Sequence, residues 1–160
     1  MARQKVTPFL WFQKDAEEAA AFYVSLFPNS RIVKIHHYPP GAPAPEGSIM
    51  SVEFELGGVP FIALNGGPHF QLNEAFSMSV ECDDQEEVDR LWDTLAAGGS
   101  PSHCGWLKDK YGLSWQIVPR VLLKLLSDPD PARAKRATEA MLGMSKLDIT
   151  RLEKAAAGNT

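Results

Sequence analysis

The side chains that could do chemistry in this 160-residue chain are few and scattered. His36, His37, His69, Glu53, Glu55 and Glu74 are the nitrogen and oxygen donors a divalent ion would draw on. His36 and His37 are neighbours on an expected strand, where successive side chains point to opposite faces, so only one of them can face a given cavity. Glu53 and Glu55 share a face, but one patterned as solvated. Cys82 and Cys104 are the only cysteines and stand in no CxxC or Cys/His pattern, which excludes a disulfide framework and gives no zinc or redox signature. Cys104 has no base near it in sequence, and Asp109 beside Tyr111 reads as turn chemistry. His69, in Gly66-Gly67-Pro68-His69-Phe70, lies on a loop and reads as a surface histidine or a general base. Spacing alone assembles no nucleophile–base pair.

The elements that must position these residues are legible from periodicity. Val6 to Phe12 is an apolar run of strand length, expected to be buried on both faces. Asp15 stands as an N-cap before a helix whose Ala19, Phe22, Tyr23 and Leu26 trace one apolar face, and Pro28 stops it. Arg31 to Tyr38 reads as a strand, and the proline-rich Pro39 to Gly47 must be a loop. Ser48 to Leu56 alternates, with Met50, Val52, Phe54 and Leu56 on one face and Ser51, Glu53 and Glu55 on the other. Gly57-Gly58 then turns the chain into Val59 to Leu64.

The second half repeats the first. Setting Asp84 on Asp15 matches Glu86-Glu87 with Glu17-Glu18, Leu91-Trp92 with Phe22-Tyr23, and Leu95 with Leu26, with strand Phe76 to Cys82 ahead of the second helix. Gly98-Gly99 ends that helix, Pro101 to Trp106 holds a short strand and bend, and Lys108 to Pro119 is a tight turn feeding a last strand. Beyond it, Leu122 to Leu126, Pro131 with Ala132 to Leu142, and Leu147 to Ala157 read as helices. Their narrow stripes, such as Ala137, Met141, Leu142, Ile149 and Leu152, suit covering a sheet edge or a partner subunit. The expected architecture is α+β: paired βαβββ modules over residues 1–120 (about 5–66 and 74–119), then a helical extension over 121–160.

Composition narrows the function classes. A net charge of −4 and an isoelectric point near 5.5 leave no basic footprint for nucleic acid. No apolar run approaches the ~18 residues of a membrane span, and no signal-peptide core follows Met1, so a cytoplasmic protein is expected.

Phe76 to Trp92, Cys104 to Asp109, Gly112 to Pro119 and Lys146-Leu147-Asp148-Ile149 resemble the PhnB-like proteins of the vicinal oxygen chelate superfamily, alongside glyoxalase I, extradiol dioxygenases and bleomycin-resistance proteins. The resemblance implies two βαβββ modules, each a curved sheet around a cavity, and a homodimer. Many members of this branch carry the label 3-demethylubiquinone-9 3-methyltransferase. A methyltransferase using S-adenosylmethionine ordinarily presents a glycine-rich strand-to-helix turn, whereas Gly57-Gly58 and Gly66-Gly67 join β-elements and Gly98-Gly99 ends a helix.

The superfamily's metal enzymes place His or Glu on the first, fourth, fifth and eighth strands. By the helix and turn landmarks, those positions fall on Pro8, Phe61, Ala75 or Phe76, and Gln116. Only Gln116 has a donor oxygen, so no metal and no cofactor are expected. What remains is a mainly apolar cavity for a small molecule, with Phe61, Asn65, Ser77, Trp106, Ser114 and Gln116 as its binding residues. Trp11, Trp106 and Trp115 offer flat stacking surfaces, and each taken singly is equally a core residue. The expected function is metal-free small-molecule binding. The alternative is an enzyme: a methyltransferase as labelled, or a lyase, isomerase or dioxygenase with a displaced metal site. A dimerisation module is the third reading.

Overall fold

The computed structural model describes residues 4–159, and the chain splits into two compact units after Leu72. The first unit runs β1 (Phe9–Phe12), α1 (Ala16–Leu26), β2 (Arg31–His37), β3 (Ile49–Leu56) and β4 (Val59–Asn65). Its strands lie in the order β1-β4-β3-β2, with β1 and β4 parallel and the other pairs antiparallel. In the second unit come β5 (Ser77–Cys82), α2 (Gln85–Ala96), β6 (Ser100–Pro101), β7 (Trp106–Lys108) and β8 (Ser114–Pro119), ordered β5-β8-β7-β6, again with the outer pair β5–β8 parallel. One topology used twice is the structural form of the sequence repeat. The result is an α+β fold of two mixed four-stranded sheets.

Strand alternation decides which face of each sheet is covered. In the first, Leu10, Phe12, Val52, Phe54, Leu56, Phe61 and Ala63 are buried, and α1 lays Ala16, Ala19, Ala20 and Tyr23 over them. The rings of Phe54 and Phe61 stack with centroids 5.5 Å apart, and Tyr23 lies 6.5 Å from Phe54. Gly57 and Gly58 both have positive φ, 55° and 84°, the conformation a two-residue hairpin between β3 and β4 requires.

In the second unit, Val88, Leu91, Trp92 and Leu95 of α2 cover Cys82, Leu107, Trp115 and Ile117. Here Asp84 caps its helix, accepting from the Glu87 amide at 2.9 Å, while Glu87 Oε2 accepts from the Asp83 amide at 2.8 Å. The turn joining β7 to β8 is built on Asp109, only 2% exposed. Its Oδ1 accepts from the amides of Tyr111 (2.8 Å) and Leu113 (3.1 Å), and its Oδ2 accepts from the indole N–H of Trp115 at 2.8 Å. Gly112, at φ 90°, donates back to the Asp109 carbonyl at 3.0 Å.

Three helices follow: α3 (Arg120–Leu126), α4 (Pro131–Leu142, with proline at N1) and α5 (Ile149–Ala156). Leu122, Leu125, Ala137, Met144, Leu147, Leu152 and Ala156 form their core, with Val118 and Met141 packed against it. Gln85 ties this bundle to α2: its Nε2 donates to the Leu147 carbonyl (3.1 Å) and its Oε1 accepts from the Ile149 amide (2.8 Å). The amides of Cys104 and Gly105 donate to the carbonyls of Met144 and Ser145 at 2.9 and 2.8 Å. Among the described residues, no helix is long and apolar enough to cross a membrane.

Three local expectations are corrected. The first strand is Phe9–Phe12 at a sheet edge and is not buried on both faces, since Val6 is 81% and Phe9 56% exposed. Leu142 is 61% exposed and outside the helical core. Asp15 makes no side-chain cap on α1. Asn65, at the end of β4, caps it instead, Oδ1 accepting from the Ala16 amide at 2.8 Å while Nδ2 donates to the Ile49 carbonyl at 3.1 Å. β4 lies beside β1, whose end leads into the helix, so Asn65 reaches the orphan amide that Asp15 cannot.

Asn65→Ala should therefore lower unfolding free energy by about 1–2 kcal/mol in urea titrations, and Asp15→Ala by less than about 0.5; equal losses would contradict the cap assignment. Asp109→Ala strands three donors, two of them buried with it, and should cost about 3 kcal/mol or more in the same measurement; a change within about 0.5 kcal/mol would show that the carboxylate does not hold the turn.

Candidate functional site

The second sheet has one face under α2; the opposite face, the open face, bears two cavities and is met at its Val118 end by α3 and α4. Cross-strand register places the open face's side chains in rows. Ser77 on β5, Ser114 on β8, Lys108 on β7 and Ser100 on β6 form the first row, each paired with the next across the sheet. Ser79, Gln116 and Trp106 form the second, and Glu81 with Val118 begins a third. Four of the six residues expected to bind ligand, Ser77, Trp106, Ser114 and Gln116, thus lie in two adjacent rows. The period-two spacing of Trp106, Lys108, Ser114 and Gln116 on paired strands is what brings them together.

Trp106 stands between two cavities. On one side, about 380 Å³ is bounded by Glu74, Ser100, Pro101, Ser102, Leu107, Lys108 and Ser114 together with the indole. On the other, about 440 Å³ has a floor of Ser79, Glu81, Cys104, Gln116 and Val118 and a wall of Leu122, Leu123 and Leu126 from α3 and Met141 from α4. Gln116 Nε2 donates to Ser77 Oγ at 3.0 Å. Ser114 is 1% exposed, and its hydroxyl has no hydrogen-bond partner among the described residues. Lys108 is ion-paired with Glu74, and its hydrogen bond holds that carboxyl below the usual carboxylate range. Lys108 and the leucine wall are site residues that sequence reasoning missed. A signal existed in Leu122-Leu123-Lys124-Leu125-Leu126, which carries more leucine than one helix face can bury; Leu123 and Leu126 remain exposed.

Phe61 and Asn65 belong to the first unit. Phe61 is packed on the α1 side of its sheet and lines no open face, because it shares strand parity with Ala63 and pairs with Phe54. Asn65 borders a cavity of about 710 Å³ with Trp11, Lys14, Tyr38, Pro43 and Pro45. The proline-rich loop thus walls the first unit's cavity. Some of its polar groups are spent on the fold: Asn65 caps α1, the Tyr38 hydroxyl donates to the Asn65 carbonyl at 2.5 Å, and the Trp11 indole donates to Gly67 at 3.0 Å, while Gln13, Glu17 and His69 also line it. Trp115, the third flat surface expected, is core, its N–H bound by Asp109.

The remaining chemical candidates are dispersed. Among the described residues no group of three or more His, Cys, Asp or Glu could hold a metal ion. The carbonyl of Pro8 accepts from the Ile62 amide at 3.0 Å, Ala75 and Phe76 lie exposed ahead of β5, and the Gln116 amide is engaged by Ser77. This donor set does not fit a divalent ion. His36 is paired with Glu53 at 3.1 Å. Cys82 is fully buried, and burial pushes its thiol up to about 12, which removes it as a nucleophile near neutrality. The junctions leading from strand to helix, Gln13–Asp15, Asp83–Asp84 and Pro119–Arg120, contain no glycine, so the phosphate- and ribose-binding turn of a doubly wound fold has no counterpart here.

Comparison with known proteins accords with this geometry. The family model for 3-demethylubiquinone-9 3-methyltransferase matches residues 4–118, and the three C-terminal helices fall beyond the match. The PhnB protein from Bacillus cereus is 38% identical, covering 72% of this chain and 99% of its own, with a TM-score of 0.67. A Pseudomonas aeruginosa protein is 21% identical over 73% of this chain and 98% of its own, with a TM-score of 0.60, and shares the fold. The fosfomycin resistance protein FosX from Listeria monocytogenes is also similar, at 16% identity over 72% of this chain and 91% of its own, TM-score 0.48. No curated protein matches significantly. The chain belongs to the 3-demethylubiquinone-9 3-methyltransferase family, the PhnB-like proteins of the vicinal oxygen chelate superfamily.

Proposed function

We propose that this protein binds a small, partly apolar molecule without a metal, on the open face of the second sheet around Trp106. The observation that carries the reading is the buried, unpartnered Ser114 hydroxyl beside that indole. A buried polar group without a partner costs about 1–3 kcal/mol, a cost that a ligand hydrogen bond would recover. Apolar walls with a few placed polar groups are the composition of small-molecule sites. Ser114 on one side of Trp106, and on the other Gln116 held by Ser77, orient the ligand, and Trp106 provides its stacking surface. The protein acts in the cytoplasm as a homodimer.

A second reading is the methyltransferase of the family's name, which the match over residues 4–118 favours. Against it stand the glycine-free strand-to-helix junctions and the absence, among the described residues, of a nucleotide-binding turn. An enzyme using a displaced metal site has no donor cluster among the described residues to support it.

A thermal-shift screen of small aromatic and aliphatic molecules tests the binding reading. A ligand held at tenfold its Kd stabilises the native state by about 1.4 kcal/mol, a rise of about 3–6 °C in Tm. Compounds giving such a rise in the wild type and little or none in Trp106→Ala are expected. A screen without a single stabilising compound, or hits indifferent to Trp106, would contradict it. Saturable binding of S-adenosylmethionine in calorimetry would favour the second reading instead.

A further inference from the structure

Resting on the binding reading above, we infer that the cavity beside Ser114 takes a small carboxylate with a flat apolar body, and that Glu74 occupies the carboxylate position while the site is empty. Lys108 and Ser114 are direct cross-strand neighbours on the open face, with Ser77 and Ser100 flanking them in the same row. Neighbouring side chains on one face of a sheet stand about 4.5–5.5 Å apart at Cβ, a span that the two oxygens of one carboxylate can bridge. One oxygen would accept from the Ser114 hydroxyl, which is 1% exposed and unpartnered, and the other from the Lys108 ammonium.

The ammonium is already bound to a carboxylate. Glu74 lies in the segment ahead of β5, its side chain is 66% exposed, and it reaches Lys108 from the rim of the same cavity. An internal carboxylate so placed shows what the site recognises, and because it is exposed and tethered only by its own short segment, it can give way. The rest of the cavity selects the ligand's body. The Trp106 indole offers a flat apolar surface, and about 380 Å³ is far more room than an inorganic anion fills. A charge-assisted hydrogen bond to the ligand replaces the one lost to Glu74, and the Ser114 bond is gained in addition.

Benzoate is the probe and benzamide its neutral control, titrated by calorimetry and by ¹H–¹⁵N NMR against wild type, Glu74→Gln, Lys108→Met and Ser114→Ala. Glu74→Gln should bind benzoate about threefold or more tighter, since the competing carboxylate is gone. Lys108→Met should weaken it by about tenfold or more and Ser114→Ala by about fivefold, with benzamide bound more weakly than benzoate by wild type. The rise in affinity with Glu74→Gln cannot come from a damaged fold. Benzamide binding as well as benzoate, or Glu74→Gln leaving benzoate affinity unchanged or lower, would overturn the carboxylate inference and leave the binding reading standing. If neither probe binds and the wider screen is also empty, both fail.

Discussion

The buried carboxylate of Asp109 is the interaction on which the second unit depends. A charged group almost fully removed from water is tolerable only when its oxygens are engaged, and three N–H donors engage them. Two donors belong to its own turn and the third is the Trp115 indole, so one side chain sets the turn between β7 and β8 and anchors the core tryptophan of β8. Register follows. With Leu107 and Trp115 directed at α2, strand parity sends Trp106, Lys108, Ser114 and Gln116 to the other face. The candidate site is thus a consequence of how the core is pinned, and a slip of one residue would exchange the two faces.

The candidate site's polar groups are hydroxyls, an amide, the Cys104 thiol and the carboxylates of Glu74 and Glu81, each ion-paired, and its apolar wall comes from helices outside the family match. Among the described residues no converging set of metal donors accompanies them, and three of the more reactive-looking side chains are spent elsewhere. His36 is paired with Glu53, Cys82 is sealed under α2, and Asp109 is the turn. The C-terminal helices are hydrogen-bonded to α2 and to the loop carrying Cys104, which makes them part of the second unit's architecture and sets Leu122, Leu126 and Met141 beside the open face.

Much of this was legible in the sequence because it is local. The offset between Asp15 and Asp84, the Gly57-Gly58 turn, the alternation of β3 and the proline at the start of α4 each depend on neighbours in the chain, and each agrees with the structure. What was not legible depends on parity or on partners distant in sequence. Phe61 looked like a cavity residue because landmark matching sets it at the inward position of the fourth strand, whereas it packs against Phe54 on the α1 side. Asn65 looked like an orienting group, and its atoms serve a helix 49 positions away. Lys108 and Glu74, 34 apart in the chain, meet only once the fold brings them to the rim of one cavity.

The four tryptophans offer the most direct measurement of the central claim, because each gives one resolvable indole N–H signal in a ¹H–¹⁵N spectrum. Recorded while compounds that stabilise the protein are titrated in, the account predicts that the Trp106 signal moves in a saturable way while those of Trp115 and Trp92, held in the core, stay in place. Saturable movement of Trp11 alone, or of none of the four, would contradict a binding site on the open face of the second sheet.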